Sequence, residues 1–376
     1  MKFVLFGLTV SSSWGNGHAT LWRGLIRALT ARGHRVVFFE RDQPFYAVHR
    51  DLSDLGEGAT LRLYPDWGAV REHAAAEAAG ADVAMVTSYC TDGPAAAELC
   101  LESAPGLTVF YDMDTPVTLA SLAEGRGVDY LPPQGLGDFD LVLSYTGGDA
   151  LEMLRTRLGA RRVAPLYGHV DPASHRPSPP VDVFRGDLSY LGTYAADRQA
   201  TLQTLFIEPA GQRPERRFVL AGAGYPPEFP WRDNIFFVRH LPPGDHPSFF
   251  ASSRLTLNVT RAPMAAMGWC PSGRLFEAAA CGVAILSDRW PGLETFFVPG
   301  EEILTAATAA EAVAALELPD GELARIARAA RARVLEEHSS DRRADELLAI
   351  LDGAGGAGAR PRGRERQLGG AALGGT

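Results

Sequence analysis

"VSSSWGNGHATLWRGLIRAL", residues 10–29, begins where an apolar strand runs out and finishes inside a helix. "MKFVLFGLTV" precedes it, a near-continuous apolar run of the kind a buried parallel strand shows. Leu21, Leu25, Ile26 and Leu29 follow, spaced to share one helix face. Between strand and helix lie three serines, Trp14, Gly15, Gly17 and His18. Strand, glycine turn and helix together make the opening unit of a doubly wound α/β sheet.

The same alternation continues outward. "RVVFFE", "LRLY", "DVAMVTS", "LTVFYD" and "DLVLSYT" read as buried strands separated by helical stretches. "LYGHVDPASHRPSPPVDVF" interrupts them with four prolines and marks a linker. Beyond it "LSYLGT", "RFVLAG", "NIFFV", "RLTLNV" and "VAILSD" restart the pattern. The expected organisation is a Rossmann-like domain over 1–167, a linker over 168–186 and a second such domain over 187–338. A closing helix over 339–352, capped by Ser339 or Ser340 and stopped at Gly353, is expected next. The glycine-rich tail over 353–376 has too little apolar content to pack and is expected to be disordered.

Composition narrows the chemistry. The 376 residues are 46% hydrophobic, enough for two ordinary cores. A net charge of -9 argues against a nucleic-acid surface. No run approaches eighteen apolar residues, so no spanning helix is expected. The apolar start lacks a cleavage pattern and reads as a strand, which points to the cytoplasm. Cys90, Cys100, Cys270 and Cys281 show no metal-ligand spacing and read as small buried side chains. Lys2 is the sole lysine among 36 basic residues, which excludes a P-loop ATPase, a pyridoxal-phosphate enzyme and a lysine aldolase.

Two facing parallel sheets place their ligand in the cleft at the strands' carboxyl ends. Gly15 and Gly17 are read as the turn that brings His18 to the start of a helix, where a neutral imidazole can take a proton from a hydroxyl. The plainer reading is a helix cap. "G-N-G-H" lacks the third glycine of a dinucleotide fingerprint, so Glu40 as a ribose ligand of a dehydrogenase is disfavoured. Asp112 ends a strand opposite that turn and is expected to orient His18 or an acceptor hydroxyl. Asp112 and Asp114 form a D-x-D pattern, but Asp138 and Asp140 repeat it, and no metal is expected. In the second half Thr193 and Arg198 follow one strand and Arg261 another, all candidates for an anion. "PSGRLFEAAACG" starts a helix with Ser272 and puts Arg274 and Glu277 on one face. A diphosphate suits Arg274 and the helix N-terminus; vicinal hydroxyls suit Glu277. The alternative, a solvated ion pair, conflicts with the apolar neighbours.

"SSWGNGHAT", "FYDMDTPVTL" and "PSGRLFEAAACG" followed by "ILSDRWPGLETFF" resemble the glycosyltransferase family related to spore-maturation proteins. The resemblance spans almost the whole chain to about residue 350 and implies a GT-B fold. In related retaining enzymes an E-x7-E motif ends at the Glu that binds the donor ribose, and Glu277 matches it. Trp269 occupies the first Glu position. His18 matches the place of a catalytic His in many inverting enzymes. The resemblance implies sugar transfer from a nucleoside-diphosphate donor on the second domain to a small or medium, unidentified acceptor on the first, with no cofactor and no metal. A sugar-nucleotide epimerase and a non-catalytic spore-surface module are the alternatives.

Overall fold

The computed structural model describes residues 1–355; the tail expected to be disordered lies outside these residues from 356 onward. Seven parallel strands form the first sheet: β1 (Lys2–Gly7), β2 (Arg35–Arg41), β3 (Ala59–Tyr64), β4 (Val83–Thr87), β5 (Leu107–Asp112), β6 (Leu141–Ser144) and β7 (Val163–Pro165). Their order is β3-β2-β1-β4-β5-β6-β7. Six more form the second: β8 (Gly186–Leu191), β9 (Phe218–Gly222), β10 (Ile235–Arg239), β11 (Ser253–Asn258), β12 (Ala284–Ser287) and β13 (Leu304–Thr305), in the order β10-β9-β8-β11-β12-β13. The sequence reading did not anticipate the short edge strands β7 and β13.

Each sheet is buried on both faces. Phe6, Phe39 and Phe110 pack to one side of the first sheet, Phe3, Leu5 and Phe38 to the other. This two-sided burial explains why the strands read as continuous apolar runs rather than alternating ones. Strand order reverses beside β1 and β4 in the first sheet and beside β8 and β11 in the second. At such switch points adjacent loops diverge to opposite faces and leave a crevice.

The final helix, Ser340–Gly355, runs past Gly353 and does not close the second domain. Its Ala344, Leu347 and Leu351 insert into the first domain's core beside Trp22, Leu25 and Leu29. Arg32 holds Asp341 and Asp345 at its rim, each at 2.8 Å. The apolar stripe at 344, 347, 351 and 354 needs a helix face to cover it, and His18–Ala31 supplies one. Ser339 Oγ accepts from the Arg342 N–H, as a cap should. The chain therefore crosses between the domains twice. The crossings are tied together, because Val170 N–H donates to the His338 carbonyl at 2.9 Å and Ser340 N–H to the Val170 carbonyl at 2.7 Å.

Candidate functional site

A cleft of about 550 Å³ opens between the carboxyl ends of the two sheets. Gly15, Gly17, His18, Thr193, Arg198, Arg261, Ser272, Arg274 and Glu277 all line it. Asp112 does not. Of the two turn glycines, only Gly15 has a left-handed backbone, with φ +68. Gly17 sits at φ -95 as the helix N-cap, a conformation any residue adopts. The turn is held elsewhere: Asn16 Oδ1 accepts from the His18 and Ala19 N–H groups, capping the helix. Glu40 lies beneath, fully buried, and accepts from the Thr9 and Ser11 hydroxyls and the Val10 and Ser11 N–H groups. A carboxylate so saturated cannot bind ribose, so the dehydrogenase reading falls.

The partner of His18 is a correction. Its Nε2 meets Asp114 Oδ2 at 2.9 Å, whereas Asp112 is buried one layer below. Asp112 Oδ1 accepts from the Asp114 N–H and the Thr118 hydroxyl. Asp112 points into the core because it is the last strand residue; Asp114 starts the following turn and points out. Ser88 donates a further hydrogen bond to Asp114 Oδ2, fixing the carboxylate. With Nε2–H given to Asp114, His18 Nδ1 carries the lone pair; it is screened from water and has no partner among the described residues. The Tyr89 ring stands edge-on to the imidazole, 6.1 Å between centroids.

Burial and the Asp114 charge raise the Asp112 carboxyl to about 7, from about 3.8. The native chain thus holds this proton more tightly than the unfolded chain does. Stability from that proton is complete below pH 3.8 and is lost as pH rises through about 7. Asp112→Asn keeps the neutral shape, so its stability should fall less than the wild type's between pH 4 and pH 8. With about 1.4 kcal/mol per pKa unit, the difference is on the order of a few kcal/mol. Denaturant titrations at the two pH values measure it; equal pH dependence in the two proteins would refute the assignment.

On the opposite wall, Arg274 rises from the first turn of the helix Gly273–Cys281. Its Nη1 donates to Asn258 Oδ1 at 3.3 Å and its guanidinium lies 5.4 Å from the Tyr190 ring centroid. Its Nε is screened and unpartnered, and so is that of Arg198, whose Nη1 reaches only the Thr193 carbonyl. Among the described residues neither arginine pairs with a carboxylate. Burial depresses the pKa of Arg274, and the nearby Arg198 charge adds to this. Arg261 differs, because Asp197 pairs with it at 2.9 Å. Glu277 does not pair with Arg274; its oxygens face His175 at 4.0 Å and His246 at 3.9 Å. Burial lowers the His246 pKa to about 4.

Sequence reasoning missed both histidines and Tyr89, and weighed Asp114 only as half of a D-x-D metal pattern, not as the partner of His18. His175 lies in the linker, which proline content marked only as a connector. Left-handed backbone was a signal available only in three dimensions. Among the described residues, Tyr89, His240 and Trp269 alone have positive φ without being glycine. Tyr89 and His240 line the cleft, and Trp269 adjoins its lining residue Cys270. Such conformations cost about 1–3 kcal/mol each and gather at functional sites.

Residues 198–349 match the glycosyl transferase-like family. Over nearly the whole chain the fold is that of the sucrose-phosphate synthase of Thermosynechococcus elongatus, with a TM-score of 0.69, 14% identity, and 95% of this chain and 100% of that one covered. An Anabaena protein, HepE, in complex with UDP-glucose matches with a TM-score of 0.66 and 13% identity, covering 94% and 100%. An alpha-glucosyltransferase in complex with UDP gives 0.67 and 11%, again covering 94% and 100%. No curated protein matches the sequence. The fold is GT-B.

Within that fold Trp269, in the first Glu position of E-x7-E, is a packing residue between the two domains. Its carbonyl accepts from the Gly147 N–H, and its ring lies against Gly148, where a Cβ would come within 2.5 Å of it. Gly148 has φ +56, so that position admits no side chain on either count. Trp14 bridges the cleft mouth, stacked on His49 of the first domain at 4.0 Å and meeting His240 of the second at 3.7 Å. No helix among the described residues is long and apolar enough to cross a membrane.

Proposed function

We propose that the chain transfers a sugar from a nucleoside-diphosphate donor, held by the second domain, to a hydroxyl acceptor held by the first. The carrying observation is the pair of arginines, Arg198 and Arg274, that face the cleft beside each other and, among the described residues, make no ion pair. Two partly desolvated like charges are costly unless an anion completes them, and a diphosphate supplies that charge. Ser272 and the N-terminus of the helix Gly273–Cys281 add backbone N–H groups on the same side. Glu277, four positions into the helix, accepts the ribose hydroxyls. The UDP and UDP-glucose complexes of the similar folds support this reading.

His18 and Asp114 stand on the acceptor side. The acceptor oxygen forms a bond to the sugar's anomeric carbon while the bond from that carbon to the diphosphate oxygen breaks. Its proton passes to His18, and the electron pair leaves with the diphosphate, where Arg198 and Arg274 stabilise the charge. Neither a cofactor nor a metal takes part. The likeness to the branch related to spore-maturation proteins rests on the quoted motifs and belongs to this proposal.

Binding of a panel of nucleoside diphosphates, followed by diphosphate release with and without candidate acceptors, tests the reading. Glu277→Gln should weaken nucleotide binding about ten- to a hundredfold, the loss of one charge-assisted hydrogen bond, and leave the fold intact. Unchanged affinity in that variant would remove Glu277 from the donor site.

A further inference from the structure

Three metal-ligating side chains that no step above uses together converge on the donor side of the cleft. His175 comes from the linker, His246 from the start of the helix His246–Ala251, and Glu277 from the helix Gly273–Cys281. One carboxylate oxygen faces each imidazole, at 4.0 and 3.9 Å, and His175 Nε2 lies 3.5 Å from His246 Nδ1. Among the described residues the Glu277 carboxylate accepts no hydrogen bond, so three partly or fully buried polar groups meet with one long contact between them. A tetrahedral ion with bonds of about 2.0–2.2 Å holds its ligands about 3.3–3.5 Å apart, so small side-chain shifts complete the set. A second cavity of about 250 Å³, lined by His169, Ser174, His175 and Glu277 among others, adjoins the cluster and has room for water beside it.

We infer that His175, His246 and Glu277 bind one divalent transition cation of the zinc class in the nucleotide-free protein. Two imidazoles and a carboxylate select such an ion over magnesium or calcium, which prefer all-oxygen sets. Neither His18 nor Asp114 belongs to the cluster, so no step of the proposed transfer is routed through the ion. It claims the carboxylate assigned above to the ribose; this second part rests on the proposed donor role of Glu277. Ion and donor then exclude each other, and zinc acts as an inhibitor competitive with the nucleotide sugar.

The test uses Co²⁺ on the full chain after stripping with a chelator. One equivalent should bind with a tetrahedral visible spectrum. His175→Ala and His246→Gln should each weaken binding by at least the roughly 10–100-fold that loss of even an outer-shell partner costs. Melting curves confirm that both variants fold. No cobalt binding to the wild type, or binding unchanged in both variants, overturns the site. Nucleosides, which carry no phosphate to chelate cobalt themselves, should displace the ion. Cobalt that binds through the two histidines but resists every nucleoside upholds the ion site and overturns the ribose role of Glu277. A nucleoside that binds while cobalt does not upholds the ribose role and overturns the ion site.

Discussion

His18→Ala should lower turnover by about 10²–10⁴ and leave donor affinity nearly unchanged. A positioned general base contributes about that factor, and the proposed donor residues lie on the opposite wall of the cleft. The geometry sharpens the expectation. Asp114 holds Nε2 at 2.9 Å, which fixes the orientation of the ring. Asp114→Asn keeps the contact but loses the charge that stabilises the imidazolium formed on proton transfer, so it should show a smaller loss of the same kind. Steady-state kinetics with saturating donor separate the effects. Normal turnover in His18→Ala would leave the residue as a helix-terminus packing group, and a large loss of donor affinity would place it on the diphosphate.

Arg274→Met should weaken nucleoside-diphosphate binding by at least ten- to a hundredfold, because a charge-assisted hydrogen bond is worth about 1.5–3 kcal/mol and the guanidinium presents several donors. The same variant should melt no lower than the wild type without nucleotide. The cation it removes has Asn258 Oδ1 and an aromatic ring as company and, among the described residues, no ion-pair partner, so burial costs the free protein more than its contacts return. Methionine fills much of the same stem volume without that cost. Function and stability are thus expected to move in opposite directions, as they do at sites held ready for a ligand. Calorimetric binding and thermal melts on one preparation measure both. A large drop in melting temperature with affinity intact would make Arg274 structural.

The sequence by itself determined the architecture, because the physics that specifies it is local. Apolar runs of strand length, glycine turns and amphipathic helices recur in order along the chain, and each is legible from neighbours a few residues apart. The same holds for the helix from Gly273, with Arg274 and Glu277 set on one face by a spacing of three. Only the tertiary structure decided which groups face each other across long separations. Residues 18 and 114 meet at 2.9 Å because the turns after β1 and β5 open at the same end of the parallel sheet, and Asp112, the last residue of β5, points inward while Asp114, two positions on, points outward. His175 and His246 are seventy-one positions apart and join Glu277 only because the linker folds back beneath the second domain. The last helix looked like the natural end of the second domain, since nearest-in-sequence is the default expectation for packing. Its apolar stripe instead matches the face of His18–Ala31, and that long-range burial ties the two domains together across the cleft.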